Sequence, residues 1–277
     1  MMRYFLKLSY NGSPFHGWQS QPNAVSVQQT IEEALSVILR APVSITGAGR
    51  TDTGVNARIM YAHFDVNDNC DSTRLNDKKR FLLSLNRLCG PAISIYDIIE
   101  VAKDAHARFD AVERTYKYFV TFEKTPFLDM ISWHSPSTLD VESMNRAAAL
   151  LLETSDFTSF AKLHSDAKTN ICKVTRADWQ LWESPFLSTR MDEENNTLLS
   201  TGEATGSTKG IVFTISADRF LRNMVRAVVG TLVDVGRGKI STEGFRKIIE
   251  SKDRCSAGTS MPPQALFLWD IKYSYLP

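Results

Sequence analysis

The chain has 277 residues, 43% hydrophobic and 23% charged, with a formal net charge of +1 at neutral pH. That length and composition suit a soluble globular protein of one large domain or two ordinary ones, with ample core. The four cysteines (70, 89, 172 and 255) form no C-x-x-C pair, and the five histidines (16, 63, 106, 134 and 164) lack metal-ligand spacing. A zinc knuckle, a redox motif and metal catalysis are therefore not expected, and scattered thiols suit a reducing cytoplasm. "MMRYFLKLSY" has no uninterrupted apolar core of a secretory signal, and no apolar run is long enough to span a membrane.

In chain order, residues 3 to 10 alternate, with Tyr4, Leu6, Leu8 and Tyr10 on one face of a half-buried strand. "NGSPFHGWQSQPN" reads as turns. Ser26-x-x-Gln29 is a capping-box pattern and starts a helix with Val27, Ile31, Ala34, Leu35 and Ile38 at helical spacing. "VSITGA" and "RIMYAHFDV" read as strands around a glycine loop, residues 73–88 as a helix and "AISIYDIIEVA" as a strand. The order is β-α-β-β-α-β, the ferredoxin-like pattern. After a junction near 105–113 the order recurs. "RTYKYFVTF" is a strand, 140–152 a helix with Val141, Met144, Ala148 and Leu151 inward, and "KVTRADWQLWE" and "GIVFTISA" are strands. A helix over 219–235 and the strand "ALFLWDIKY" complete it. The fold class is thus α+β: two ferredoxin-like halves with antiparallel sheets, residues 1–110 and 111–277. The polar segment 192–209 reads as a flexible insertion in the second half. Residues 219–247 hold seven basic groups against two acidic ones, a patch that suits either an anionic partner or a solvated helix face.

The glycine loop "GAGRTDTGVNA" (47–57) poses the functional question. Gly49 and Gly54 have P-loop spacing, but Val55 and Asn56 stand where Lys and Ser or Thr belong. A dinucleotide loop should open a helix, whereas this one leads into a strand. A nucleotide cofactor is therefore not expected. Glycines that turn tightly can instead thrust one carboxylate, Asp52, into a cleft. Arg50, two residues earlier, could keep it ionised as nucleophile or base. An Arg–Asp pair that only pins the loop is the alternative.

"GAGRTDTGVNA" resembles the G-x-G-R-T-D-x-G-V-x-A signature of the tRNA pseudouridine synthase A family. "YNGSPFHGWQSQPN", "SVQQTIEEAL", "HARFDAVERTYKYFV", "DFTSFAK", "FLRNMVRAVVGTLVDVGRGKI" and "AGTSMPPQALFLWDIKY" resemble its other motifs, in the same order. The likeness covers nearly the whole chain. It implies a cytoplasmic isomerase that turns uridine into pseudouridine on the 3′ side of the tRNA anticodon stem-loop. It implies no cofactor, and a homodimer with a basic cleft between the halves. A non-catalytic RNA-binding protein of the same fold is the competing reading.

The resemblance implies that Asp52 is the catalytic aspartate and that Arg50 helps hold a flipped nucleotide, because a stacked uridine cannot reach a side chain. Tyr116 matches the family's active-site tyrosine, and Tyr118, on the same strand face, is left to the core. Arg226 lies in an otherwise apolar helical stretch where an unpaired charge is costly. The resemblance makes Asp52 its partner; an ordinary ion pair elsewhere is the alternative. Met261 and Phe160 are expected to form an apolar wall. Arg58, Arg108, Arg114, Arg219 and Arg222 are candidate phosphate contacts, which would make tRNA affinity salt-dependent. The chain departs from the family pattern at Thr53, where alanine is usual, at Asn56, where histidine is usual, and at Ser260-Met261-Pro262, where T-A-P is usual.

Overall fold

A computed structural model describes residues 2–162, 168–183 and 210–276. The strands are β1 (Met2–Tyr10), β2 (Ile45–Gly47), β3 (Asn56–Val66), β4 (Ile93–Val101), β5 (Ala111–Thr121), β6 (Trp133–His134), β7 (Val174–Leu181), β8 (Ile211–Ala217) and β9 (Leu266–Tyr273). The helices are α1 (Val27–Leu39), α2 (Lys78–Cys89), α3 (Val141–Ala149), α4 (Met224–Gly236) and α5 (Thr242–Ser251). The expected insertion at 192–209 lies outside the described residues. The chain divides into two compact units. The first joins Met1–Tyr116, Ser216–Arg222 and Phe267–Pro277; the second joins Lys117–Ile215 and Asn223–Leu266.

In the first unit the strands run β4-β1-β3-β9-β5, with β2 on β3. β1 pairs antiparallel with both β3 and β4, and β9 meets β3 in parallel at Asn56 and Ala57. Leu6, Leu8 and Tyr10 are buried, as the alternation requires, and Tyr4 packs partly buried against the same core. Phe5, on the opposite face, is buried too, with its ring 5.5 Å from that of Tyr273. The Ser26 hydroxyl caps α1 by accepting from the Gln29 N–H at 3.2 Å. Val27, Ile31, Ala34, Leu35 and Leu39 are its buried face, with Ile38 packed partly buried beside them. A helix this short is marginal alone; burial at roughly 1.5–3 kcal/mol per large apolar side chain holds it. Helix α2 starts at Lys78, not at 73, because Ser72–Asn76 form a 3-10 turn and Asp77 is the cap, accepting from the Arg80 N–H.

In the second unit the order is β5-β8-β7, with β6 in parallel on β5. Asp140 caps α3 through the Ser143 N–H. Met144, Ala147 and Ala148 form its buried side, while Val141 stays half-exposed. The Phe160 ring stacks on Phe245 at 5.9 Å and is fully buried, so it is a core residue rather than a site wall. The helix expected over 219–235 begins only at Met224. Asn223 takes a left-handed conformation (φ 65°), which a right-handed helix cannot contain, so Arg219 and Arg222 precede the helix. Helix α5, capped by Ser241, is an element beyond the expected β-α-β-β-α-β order, with Phe245, Ile248 and Ile249 at helical spacing. Among the described residues no helix is long and apolar enough to cross a membrane.

Candidate active site

Two glycine-bearing stretches lock together around Asp52. The loop leaves β2 at Gly47 and enters β3 at Asn56. Its start is tied by the Ala48 N–H to the Tyr61 carbonyl at 2.8 Å. The Thr51 carbonyl accepts from the Trp18 N–H at 3.2 Å, and the Thr51 hydroxyl pairs with that of Tyr10 at 2.8 Å. Immediately after Asp52 the chain turns. Gly54 has φ 76°, and the Val55 N–H returns to the Asp52 carbonyl at 3.1 Å.

The opposing stretch, 12–17, touches this loop through bare backbone. A Cβ on Gly12 would stand 2.2 Å from the Val55 carbonyl oxygen, and one on Gly17 (φ 90°) 2.5 Å from that of Thr51. The Gly12 N–H donates to Oδ1 of buried Asn56 at 2.8 Å, so that departure from the family pattern has a structural task. Thr51 and Val55 are buried on either side, while the Asp52 side chain keeps 27% of its surface accessible. The result is a carboxylate presented to solvent from a braced loop.

One cation beside it is Arg222, whose Nε lies 3.6 Å from Asp52 Oδ1. The sequence expectation puts Arg222 on RNA phosphate and Arg50 near the carboxylate, with Arg226 as the partner that the resemblance implies. Arg50 is instead exposed and makes no ion pair among the described residues. No local signal could have named Arg222, because the contact joins remote parts of the chain.

Tyr116 is partly buried, with its ring edge-on to Phe220 at 5.0 Å. Burial pushes its hydroxyl up to about 12; the Arg114 cation opposes this and the Asp52 carboxylate adds to it. Tyr116 is thus a neutral hydroxyl within electrical reach of Asp52. Arg58 lies over the Trp269 ring at 4.8 Å and Arg108 over Phe109 at 5.9 Å, both exposed. Arg219 is half-buried, and its N–H donates to Asp218 Oδ1. Arg114, expected on phosphate, donates to the main-chain carbonyls of Ala48, Arg108, Ala111 and Asp218.

Arg226 belongs to the second unit. Its Nε donates to the Met261 carbonyl at 2.6 Å, and the Met261 N–H returns to the Arg226 carbonyl at 3.1 Å. Gly230 makes this possible, since a Cβ there would lie 1.9 Å from the Thr259 carbonyl oxygen. Tyr118 is fully buried, as expected of a core residue, and its hydroxyl donates to the Pro262 carbonyl at 3.1 Å. Burial raises the Tyr118 hydroxyl well above its ordinary value, with the Arg226 cation opposing. Met261 is buried in the same loop. Among the described residues no three His, Cys, Asp or Glu side chains are grouped as metal ligands.

Comparison with known proteins adds to this geometry. Residues 147–274 match a family described as tRNA pseudouridine synthase. A Bacteroides thetaiotaomicron protein named tRNA pseudouridine synthase A is 52% identical over 99% of this chain and 91% of its own length. The protein of that name from Parabacteroides distasonis is 48% identical over 99% and 96%. One from Caldicellulosiruptor bescii is 36% identical over 99% and 100%.

Proposed function

The chain belongs to the tRNA pseudouridine synthase A family, and from that premise we propose that Asp52 carries its chemistry. The protein is an isomerase that converts uridine to pseudouridine in tRNA. The N1–C1′ bond breaks, the uracil turns while held, and C5 bonds to C1′. C5 gives up its hydrogen as a proton and N1, freed from C1′, takes one up, so product and substrate have the same composition. A carboxylate can serve by attacking sugar or base, or by removing a ribose proton to give a glycal.

The observation that carries the assignment is the loop itself. Thr51 and Val55 are buried, a tight turn follows, and the intervening carboxylate is accessible beside Arg222. Arg50 is assigned to the extruded nucleotide, and Tyr116 to stacking on the uracil and supporting proton movement through its hydroxyl. Arg226 keeps the role that its motif implies, and Arg226→Met should reduce turnover more than tRNA binding. Equal losses would make it a phosphate contact. Arg58, Arg108, Arg219 and Arg222 are assigned to phosphate.

The anticodon stem-loop as target, the homodimer and the cytoplasmic location belong to the same proposal. So does the reading of two ferredoxin-like halves. The spatial orders β4-β1-β3-β2 and β9-β5-β8-β7 support it, since each is 4-1-3-2 in its own chain order once β6 is set aside. The test is release of tritium from tRNA carrying 5-tritiated uridine, with no added cofactor. Wild-type protein should release it and Asp52→Ala should not, while still binding tRNA. A variant that keeps turning over would remove Asp52 from the reaction.

A further inference from the structure

We propose that Arg114 is a positioning residue of this active site, holding the Asp52 loop and the Arg222 segment in register, and is not a contact to RNA. The inference rests on the assignment of Asp52. Nη1 donates to the carbonyls of Ala111 at 2.9 Å and Asp218 at 2.8 Å. Nη2 donates to those of Ala48 at 3.1 Å and Arg108 at 2.6 Å. A guanidinium has four N–H bonds on its two terminal nitrogens, and each points at a carbonyl. Fork-like recognition of phosphate uses such donors in pairs, and none of the four is left over.

The four acceptors are placed to matter. Ala48 opens the loop that reaches Asp52, and Asp218 opens the short segment that ends at Arg222. Arg108 and Ala111 bracket the turn entering β5, on which Tyr116 follows Arg114 by two residues and so shares its strand face. One planar, permanently charged group thereby joins three stretches of chain, two of which lead to the members of the Asp52–Arg222 pair. Lysine cannot replace it, because a single nitrogen with three donors cannot span four carbonyls.

The experiment uses the full-length protein and compares wild type with Arg114→Lys and Arg114→Gln. It reads single-turnover rate at saturating enzyme, tRNA affinity across a salt series, and the melting temperature. A small displacement of a reacting group can cost about 100-fold in rate, so the rate should fall roughly 10- to 100-fold in both variants. Affinity should stay within about twofold, and the slope of log affinity against log salt should be unchanged, because no phosphate contact is lost. A slope reduced by about one with the rate retained would overturn the proposal and make Arg114 a phosphate ligand. Normal rate per folded molecule with a lowered melting temperature, or failure of both variants to fold, would also overturn it and leave a residue needed only for stability. Tritium release by Asp52→Ala would count against the Asp52 assignment, and it is read independently of the Arg114 variants.

Discussion

Arg222 Nε lies 3.6 Å from Asp52 Oδ1, and the Arg222 side chain is 63% exposed while that of Asp52 is 27% exposed. An ion pair so open to water contributes little, typically under about 1 kcal/mol. Its position is more informative than its strength, because it puts an exposed cation where a phosphate could compete for it. Arg222→Gln should therefore cost less than about tenfold in turnover and lower the salt slope of tRNA binding by about one. A loss on the order of 100-fold in single-turnover rate with an unchanged salt slope would make Arg222 part of the chemistry.

Asp52→Asn should be as inactive as Asp52→Ala, since it keeps the shape of the side chain and removes the charge. The expected loss is on the order of 1,000-fold or more. Gel-shift affinity for tRNA should change by less than about threefold. An asparagine variant with substantial tritium release would mean that the carboxylate serves the loop's structure alone.

The glycines around the loop should fall into two classes. Gly12→Ala places a methyl against the Val55 carbonyl oxygen, where the backbone itself must move. That should cost at least ~1–3 kcal/mol of stability and displace Asp52, with activity falling further than stability. Gly49→Ala meets nothing within 4 Å, and its φ lies outside the left-handed range. It should leave the melting temperature unchanged or slightly higher. Equal melting temperatures for the two variants would refute the packing argument.

Acid should weaken the first unit through His63. Its Nδ1 accepts from the Ala107 N–H at 3.2 Å, and its ring packs against His106 at 4.7 Å. Burial first, then the Arg3 and His106 charges, lower it to about 4. The unfolded imidazole titrates near ~6.5. Between those values the unfolded chain holds the extra proton. The stabilisation is complete above the upper value and is lost as pH falls toward the lower, by on the order of 2–3 kcal/mol. Denaturant melts of wild type and His63→Gln across that window should converge as pH falls. Parallel curves would show that another group controls the acid loss.

Most of the fold was legible because its signals are local. The alternation from Tyr4 to Tyr10, the Ser26 cap and the apolar spacing of α1 depend only on near neighbours, and the structure has all three. Element ends were read less well. Asn tolerates a positive φ better than most residues, but one Asn inside an apolar helical pattern does not by itself mark a break, so the pattern starts α4 too early and absorbs the 3-10 turn before α2.

The amino-acid sequence by itself determined the family, through several long motifs in one order, and with it Asp52 as the residue to examine. Only the tertiary structure decided what surrounds that residue. That Arg222 rather than Arg50 stands beside the carboxylate, that Arg114 gives its terminal donors to carbonyls, and that Gly12 and Gly17 must be bare all depend on segments distant in the chain. Periodicity and caps report on a residue's neighbours along the backbone. Ion pairs and close backbone approach depend on where folding brings separate stretches to rest, and no spacing rule encodes that.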